Sequence, residues 1–262
     1  MKIMKKNLVH FIEWRKIPDE KIAGVMADAA SWPQLTDIVA HPCWFREDGN
    51  FIPFIARELQ KNGLRAPACH ALWGIGNDCV QRDDSAHARM IARHCRFLDQ
   101  LSELEVKTYT IHLGMPDYEQ VDADFDRLQR TIDDLLPALH RNGISLAMEN
   151  SGESPDIIRR LTGLAASYQD EAVGLCFDSG HANCYQNGIE KTLLVMREHI
   201  VTCHLHDNHG SFDDHNPPGD GNTDWQQLTR LLDDCPRMFH AETESGIWDQ
   251  QAWAKFVQNT TF

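Results

Sequence analysis

Short apolar runs alternate along this chain with longer stretches whose apolar residues recur every three or four positions. The runs fall near residues 7–13, 35–41, 64–70, 106–112, 144–149, 173–178, 201–206 and 237–242. Each is short and continuously apolar, as a strand covered on both faces must be. The stretches between them read as helices. Asp83, Asp84 and Ser85 stand where they can cap a helix, and its Ile91, Cys95, Leu98 and Leu101 form one buried stripe. Phe125, Leu128, Ile132, Leu135 and Leu139 do the same in the next, which Asn142-Gly143 ends, and Lys61-Asn62-Gly63 stops an earlier one. Strict alternation of strand and helix means βα units on a parallel sheet. Eight such units in 262 residues predict an α/β fold, a (β/α)8 or TIM barrel, with residues 1–262 forming a single domain.

Composition narrows the partners. Lys and Arg number 25 against 39 Asp and Glu, a net charge of −14, which repels polyanions and disfavours nucleic acid. The eight cysteines are scattered without a CxxC pair, and many sit in apolar runs as small hydrophobes, so a reduced, cytoplasmic protein is expected. The basic opening, MKIMKK, leads into an apolar run broken by His10 and Glu13, which does not read as a signal peptide. No run approaches the roughly 18 apolar residues of a membrane span. Barrels of this size often pair through their helices, so a homo-oligomer is possible, although no helix has the all-round apolar surface that would argue for it.

Chemistry enters at the strand ends. The apolar runs finish in His70, His112, Glu149, Asp178, His204 and Glu242, and His181 follows Asp178 by one turn. Side chains from such distant positions converge only at the carboxyl mouth of a parallel barrel. Glu149, Asp178, His204 and Glu242 make a set of three carboxylates and one imidazole suited to a divalent ion such as Mn, Zn, Mg or Co. His70, His112 and His181, with Asp213 and His215 in the Gly- and Pro-rich stretch after the seventh strand, are further candidates for metal or substrate. Trp14, Trp44 and Trp73 follow the first three strands and are placed to wall a pocket.

His204-Leu205-His206-Asp207-Asn208, then Asp213 and His215, then Pro218-Gly219-Asp220-Gly221 and Trp225, resemble the seventh-strand motif of the xylose-isomerase-like TIM-barrel superfamily. That group joins sugar phosphate isomerases and epimerases with the endonuclease IV type, the family-2 apurinic/apyrimidinic endonucleases. Glu149 in AMEN, Asp178 and His181 in FDSGH, and Glu242 in AETE fall in the order the resemblance requires. It implies Glu149, Asp178, His204 and Glu242 as the shared metal set. In the isomerase branch it also implies that Glu149 and Glu242 exchange a proton with substrate carbon through a metal-stabilised enediolate, while His181 contacts a hydroxyl. The endonuclease branch holds three zinc ions on nine residues, all matched here: His70, His112, Glu149, Asp178, His181, His204, Asp213, His215 and Glu242.

One ion is therefore expected, with up to three allowed. The leading expectation is a metal-dependent isomerase or epimerase of a small sugar or polyol; the alternative is a trinuclear-zinc phosphodiesterase. A lyase or dehydratase would differ from the first only in the fate of the enediolate. SGESP, HANC, NHG and ESG follow strands five to eight without Lys or Arg, whereas a face that binds a duplex needs cations. Arg15, Arg46 and Arg82 are the basic residues near the mouth, so a neutral sugar is favoured unless a phosphate lies toward Arg15 and Arg46.

Overall fold

A computed structural model describes residues 7–114, 120–185, 188–245 and 249–260; the basic opening residues 1–6 lie outside this set. Eight parallel strands close into a barrel in the order β1-β2-β3-β4-β5-β6-β7-β8. They are β1 Asn7–His10, β2 Asp37–Ala40, β3 Arg65–His70, β4 Thr108–Ile111, β5 Ser145–Glu149, β6 Val173–Asp178, β7 Ile200–Leu205 and β8 His240–Thr243. Closure is made by β8 on β1, with Val9 opposite Glu242 and His10 opposite Thr243. All eight expected strands are present. The first is shorter than its apolar run because the chain turns into a 3-10 helix at Trp14–Lys16.

Between the strands lie α1 Ile22–Ala29, α2 Ile52–Asn62, α3 Asp84–Leu101, α4 Val121–Asn142, α5 Pro155–Tyr168, α6 Ser179–Tyr185, α7 Ile189–Met196, α8 Trp225–Asp233 and α9 Gln250–Thr260. Asp83 caps α3 by accepting the Ala86 N–H at 2.8 Å, as expected. The buried stripe of α3 is rotated from the expected one. Met90, His94, Phe97, Leu98 and Leu101 face inward, and Ile91 and Cys95 lie half-buried at its edge. His94 is tolerated inside because Asn77 O takes one ring nitrogen at 3.1 Å and the Tyr109 hydroxyl the other at 2.9 Å. In α4 the stripe of Phe125, Leu128, Ile132, Leu135 and Leu139 is buried as read from the sequence. Gly63 and Gly143 end α2 and α4 with φ of 66° and 63°, the left-handed conformation that glycine adopts without strain. Among the described residues no helix is long and apolar enough to cross a membrane, and the eight cysteines are free thiols.

The main core lies between strands and helices, from Ile38 and Cys69 through Tyr109, Leu146 and Phe177 to Phe256. Strand residues of opposite parity line the barrel's interior, and there the two halves differ. Under β1–β3 the lining is largely apolar, a separate cluster of Val9, Phe11, Val39 and Ala68, with His70 at its upper end. Under β4–β8 it is largely polar and buried, with Thr108, Thr110, Glu149, Asp178, Thr202, His204, His240 and Glu242 around a small apolar cluster of Ala147, Cys176 and Val201. Hydrogen bonds across the interior satisfy much of this half. Thr108 bonds His240 at 2.9 Å, and the Thr202 hydroxyl donates to Glu242 at 2.6 Å.

Candidate metal centre

The site sits at the carboxyl mouth, above the polar half of the lining. His204, at the end of β7, is its centre. One ring nitrogen, Nδ1, lies 3.3 Å from Glu149 and 4.0 Å from Asp178, while Nε2 lies 3.5 Å from Glu242 on the opposite edge of the ring. All four side chains are buried. The other predicted residues close around them. His112 reaches Glu149 at 3.0 Å and His181 reaches it at 3.2 Å. His70 stacks on His204 with ring centres 4.6 Å apart and lies 3.7 Å from Glu242. Asp213 stands 3.2 Å from His181 and 2.9 Å from His215. The nine residues read from the sequence thus form one continuous array.

Two further members were not foreseen. His206 lies 3.0 Å from Asp178 and 3.6 Å from Asp213, and stacks on His215 with ring centres 4.0 Å apart. Glu244 lies 3.2 Å from His204 and 3.7 Å from His70. Each stands two residues past a predicted ligand, where the period-two alternation of a strand returns the side chain to the same face. That period is the signal that finds them. His206 also accounts for Gly180, where a Cβ would fall 1.9 Å from the imidazole. The Cys176 thiol completes a cluster with Glu149 and His204.

Backbone carbonyls orient two of the rings. Asn150 O accepts from His181 Nδ1 at 2.9 Å, and Glu244 O accepts from His215 Nδ1 at 2.9 Å. In both residues Nε2 is therefore the nitrogen turned toward Asp213.

Charge is balanced inside the array. Burial alone would push the Glu149 carboxyl up, yet the imidazoles of His112 and His204 hold it well below the usual range. Glu242 is held low in the same way, against its burial, by His204 and His240. His204 resists protonation through burial, but Cys176, Glu244, Glu149 and Glu242 around it raise its pKa well above the ordinary value. Burial also opposes charge on His215, and the Asp213 and Glu244 carboxylates overcome it, taking the pKa up to about 9.

The arrangement fits a divalent ion. Among the described residues, the buried atoms Glu149 Oε2, His204 Nδ1 and Nε2, Glu242 Oε2, His70 Nε2, His206 Nδ1 and Asp213 Oδ1 have no hydrogen-bond partner. Buried polar atoms are seldom left so. Carboxylates and imidazoles in this mixture suit borderline and hard divalent cations. His70, His204 and Glu244; Glu149, Asp178 and His181; Asp178, His206 and Glu244; and His206, Asp213 and His215 each converge closely enough to hold an ion.

The expected tryptophan wall is only partly at the mouth. Trp14 and Trp44 pack against each other in the core, 5.2 Å apart and 1% and 0% exposed, and present no surface there. Both sit in 3-10 turns, Trp14–Lys16 and Pro42–Trp44, which fold them inward. Trp73 does reach the array, with its ring centre 6.2 Å from that of His112 and 6.5 Å from that of His70.

Residues 45–255 match the family of xylose isomerase-like TIM barrels. An uncharacterised protein, y4fM, of Sinorhizobium fredii is 26% identical over 142 residues, a match covering 52% of this chain and about half, 46%, of that protein. Among solved structures, a D-tagatose 3-epimerase-like protein superposes with a TM-score of 0.76 at 16% identity, covering 97% of this chain and 98% of its own. D-psicose 3-epimerase crystallised with D-fructose gives 0.73 at 16% identity over 96% and 95%. The IOLI protein with a bound zinc atom gives 0.73 at 14% identity over 97% and 95%. At these identities the likeness is one of fold.

Proposed function

This chain belongs to the xylose isomerase-like TIM barrel family, and within it we propose a divalent-metal-dependent isomerase or epimerase of a small sugar or polyol. The observation that carries the reading is the placement of Glu149 and Glu242 on opposite edges of the buried His204 ring, 3.3 and 3.5 Å away. Flanking that ring, the two carboxylates are the pair we assign to take and return the substrate proton. The structural neighbours, a D-tagatose 3-epimerase-like protein and a D-psicose 3-epimerase, support the same class.

Of the proposed set, Glu149, Asp178 and His204 would hold the ion on the Nδ1 side of the His204 ring, where Glu244 also lies, while Glu242 stands on the Nε2 side; His206 converges with Asp178 and Glu244. When bound, a divalent ion draws electron density from a carbonyl and its neighbouring hydroxyl, which acidifies the C–H between them and stabilises the resulting enediolate. The chain's own part is to take and return that proton. Glu149 and Glu242, both held low in pKa, are carboxylates ready to accept it. Thr202, donating to Glu242 at 2.6 Å, fixes one oxygen and leaves the other turned to His204. His181, beside Glu149 and tied to Asn150 O, would contact a substrate hydroxyl.

Glu149→Gln and Glu242→Gln should each lower incorporation of solvent deuterium into substrate by about 10²- to 10⁴-fold, the usual contribution of a positioned acid or base. Metal content, measured on the same samples, separates loss of the base from loss of the ion. Exchange that survives both substitutions would end the assignment.

A second reading has its own observation, the cluster of His206, Asp213 and His215 beside His181. A second and third ion there would suit phosphodiester cleavage, in which metals clamp attacking and leaving oxygens. Elemental analysis of protein purified without chelator distinguishes the two. About one ion per chain agrees with the isomerase, and about three would make hydrolysis the leading activity.

A further inference from the structure

Beside the metal array, the loops after β1 and β2 hold a different kind of chemistry. Arg15 donates to both oxygens of the Glu13 carboxylate, from Nε and Nη2, each at 2.7 Å. Its guanidinium lies over the Trp73 ring, 5.0 Å from the centre. His41, fully buried, accepts the Cys43 N–H on Nδ1 at 3.0 Å. The proton of the neutral ring is therefore on Nε2. That atom has no hydrogen-bond partner and faces Glu13 across a gap of 3.7 Å. A buried donor left unpaired is costly.

The gap adjoins the array through a short chain of rings. Trp73 meets His41 edge-on at 5.6 Å, and Phe11 lies 6.1 Å from His41 and 5.1 Å from His70, which stacks on His204.

At 3.7 Å the two atoms are too close to admit a group between them, so one that bridges them from the side must accept from His41 and donate to Glu13. A hydroxyl does both. A phosphate is acceptor and anion only, so Glu13 repels it, and the arginines that could have drawn it are engaged. Arg15 is closed on Glu13, while Arg46 bonds Asp19 at 2.9 Å, the Cys43 and Phe45 carbonyls, and the face of Phe51. We propose that Glu13, Arg15 and His41, walled by Trp73, form a hydroxyl subsite that holds the end of the substrate remote from the metal and restricts it to a neutral, unphosphorylated chain. The assignment rests on the isomerase or epimerase reading.

The test follows solvent-deuterium exchange by the metal-loaded protein with dihydroxyacetone, which lacks the chain beyond C3, with D-fructose and D-tagatose, and with D-fructose 6-phosphate. A neutral ketohexose should exceed the 6-phosphate in kcat/KM by about tenfold or more, the effect of one hydrogen bond to a charged group. Glu13→Gln should reduce the advantage of that hexose over dihydroxyacetone by a similar factor. It should also raise use of the 6-phosphate relative to the neutral hexose, because Arg15 is released. His41→Phe, which keeps the ring and removes the donor, should reduce the first ratio without the second effect. The subsite is overturned if the unaltered protein prefers the 6-phosphate, or if both substitutions lower exchange of short and long substrates in equal proportion. Exchange with dihydroxyacetone and none better with any hexose also overturns it while leaving the isomerase reading intact; exchange with no ketose at all removes both.

Discussion

His215 adopts a left-handed backbone conformation, φ 51°, which is costly for a residue with a side chain. It is held there because Nδ1 donates to Glu244 O and Nε2 faces Asp213. Its pKa, raised to about 9, gives a sign to metal binding. An ion must displace the proton, so the affinity of the Asp213–His215 pair for zinc should rise about tenfold per pH unit below about 9 and level off above it. Zinc titrations from pH 7 to 10 would show this, and a flat profile would count against the pairing. The nine expected donors were legible because each ends an apolar run or follows one in a motif. His206 stood in the seventh-strand motif without a role, and Glu244 lies past the strand tip where the reading stopped. Burial was not legible either, since nothing in the spacing of Trp14 and Trp44 separates them from Trp73.

At the scale of an element, the loop from β7 to α8 depends on one buried side chain. Asp207 Oδ1 accepts from Asn208 and Thr223 N–H, and Oδ2 accepts from Gly219 N–H and the Trp225 indole at 2.9 Å each. Backbone bonds of 2.7 and 2.9 Å pair Asp207 with Asn216 as well. This carboxylate fixes the stretch that delivers Asp213 and His215. Asp207→Asn sets an amide N–H₂ against two of those donors, and should loosen the loop by about 3 kcal/mol. Faster hydrogen exchange over residues 208–224 is the expected result, and unchanged exchange there would mean that Asp207 does not hold the loop. The strands and the α4 stripe were readable because their periods are unbroken. The α3 stripe was misplaced because His94, polar in sequence, is satisfied inside by Asn77 and Tyr109.

Over the whole molecule, three histidines outside the array are kept neutral by burial. His10 and His41 are lowered to about 3 and His94 to about 4. Unfolding lets each take up a proton below pH 6.5, so stability should fall as pH drops from about 6.5 toward 4, by about 1.4 kcal/mol per pH unit for each residue fully titrating. Denaturant melts at pH 7 and pH 5 check the direction; equal midpoints would contradict it. The barrel itself was legible as eight alternations, but the division of its interior was not, because inward parity depends on how neighbouring strands register. That division has a consequence for descent. The candidate ligands come from β3 through β8 and the loops that follow them, whereas Glu13, Arg15 and His41 follow β1 and β2, ahead of residue 45 where the family match begins. Under the proposed assignment, a lineage can therefore exchange one sugar for another by drift within its first two βα units, while the residues assigned to the chemistry stay as they are.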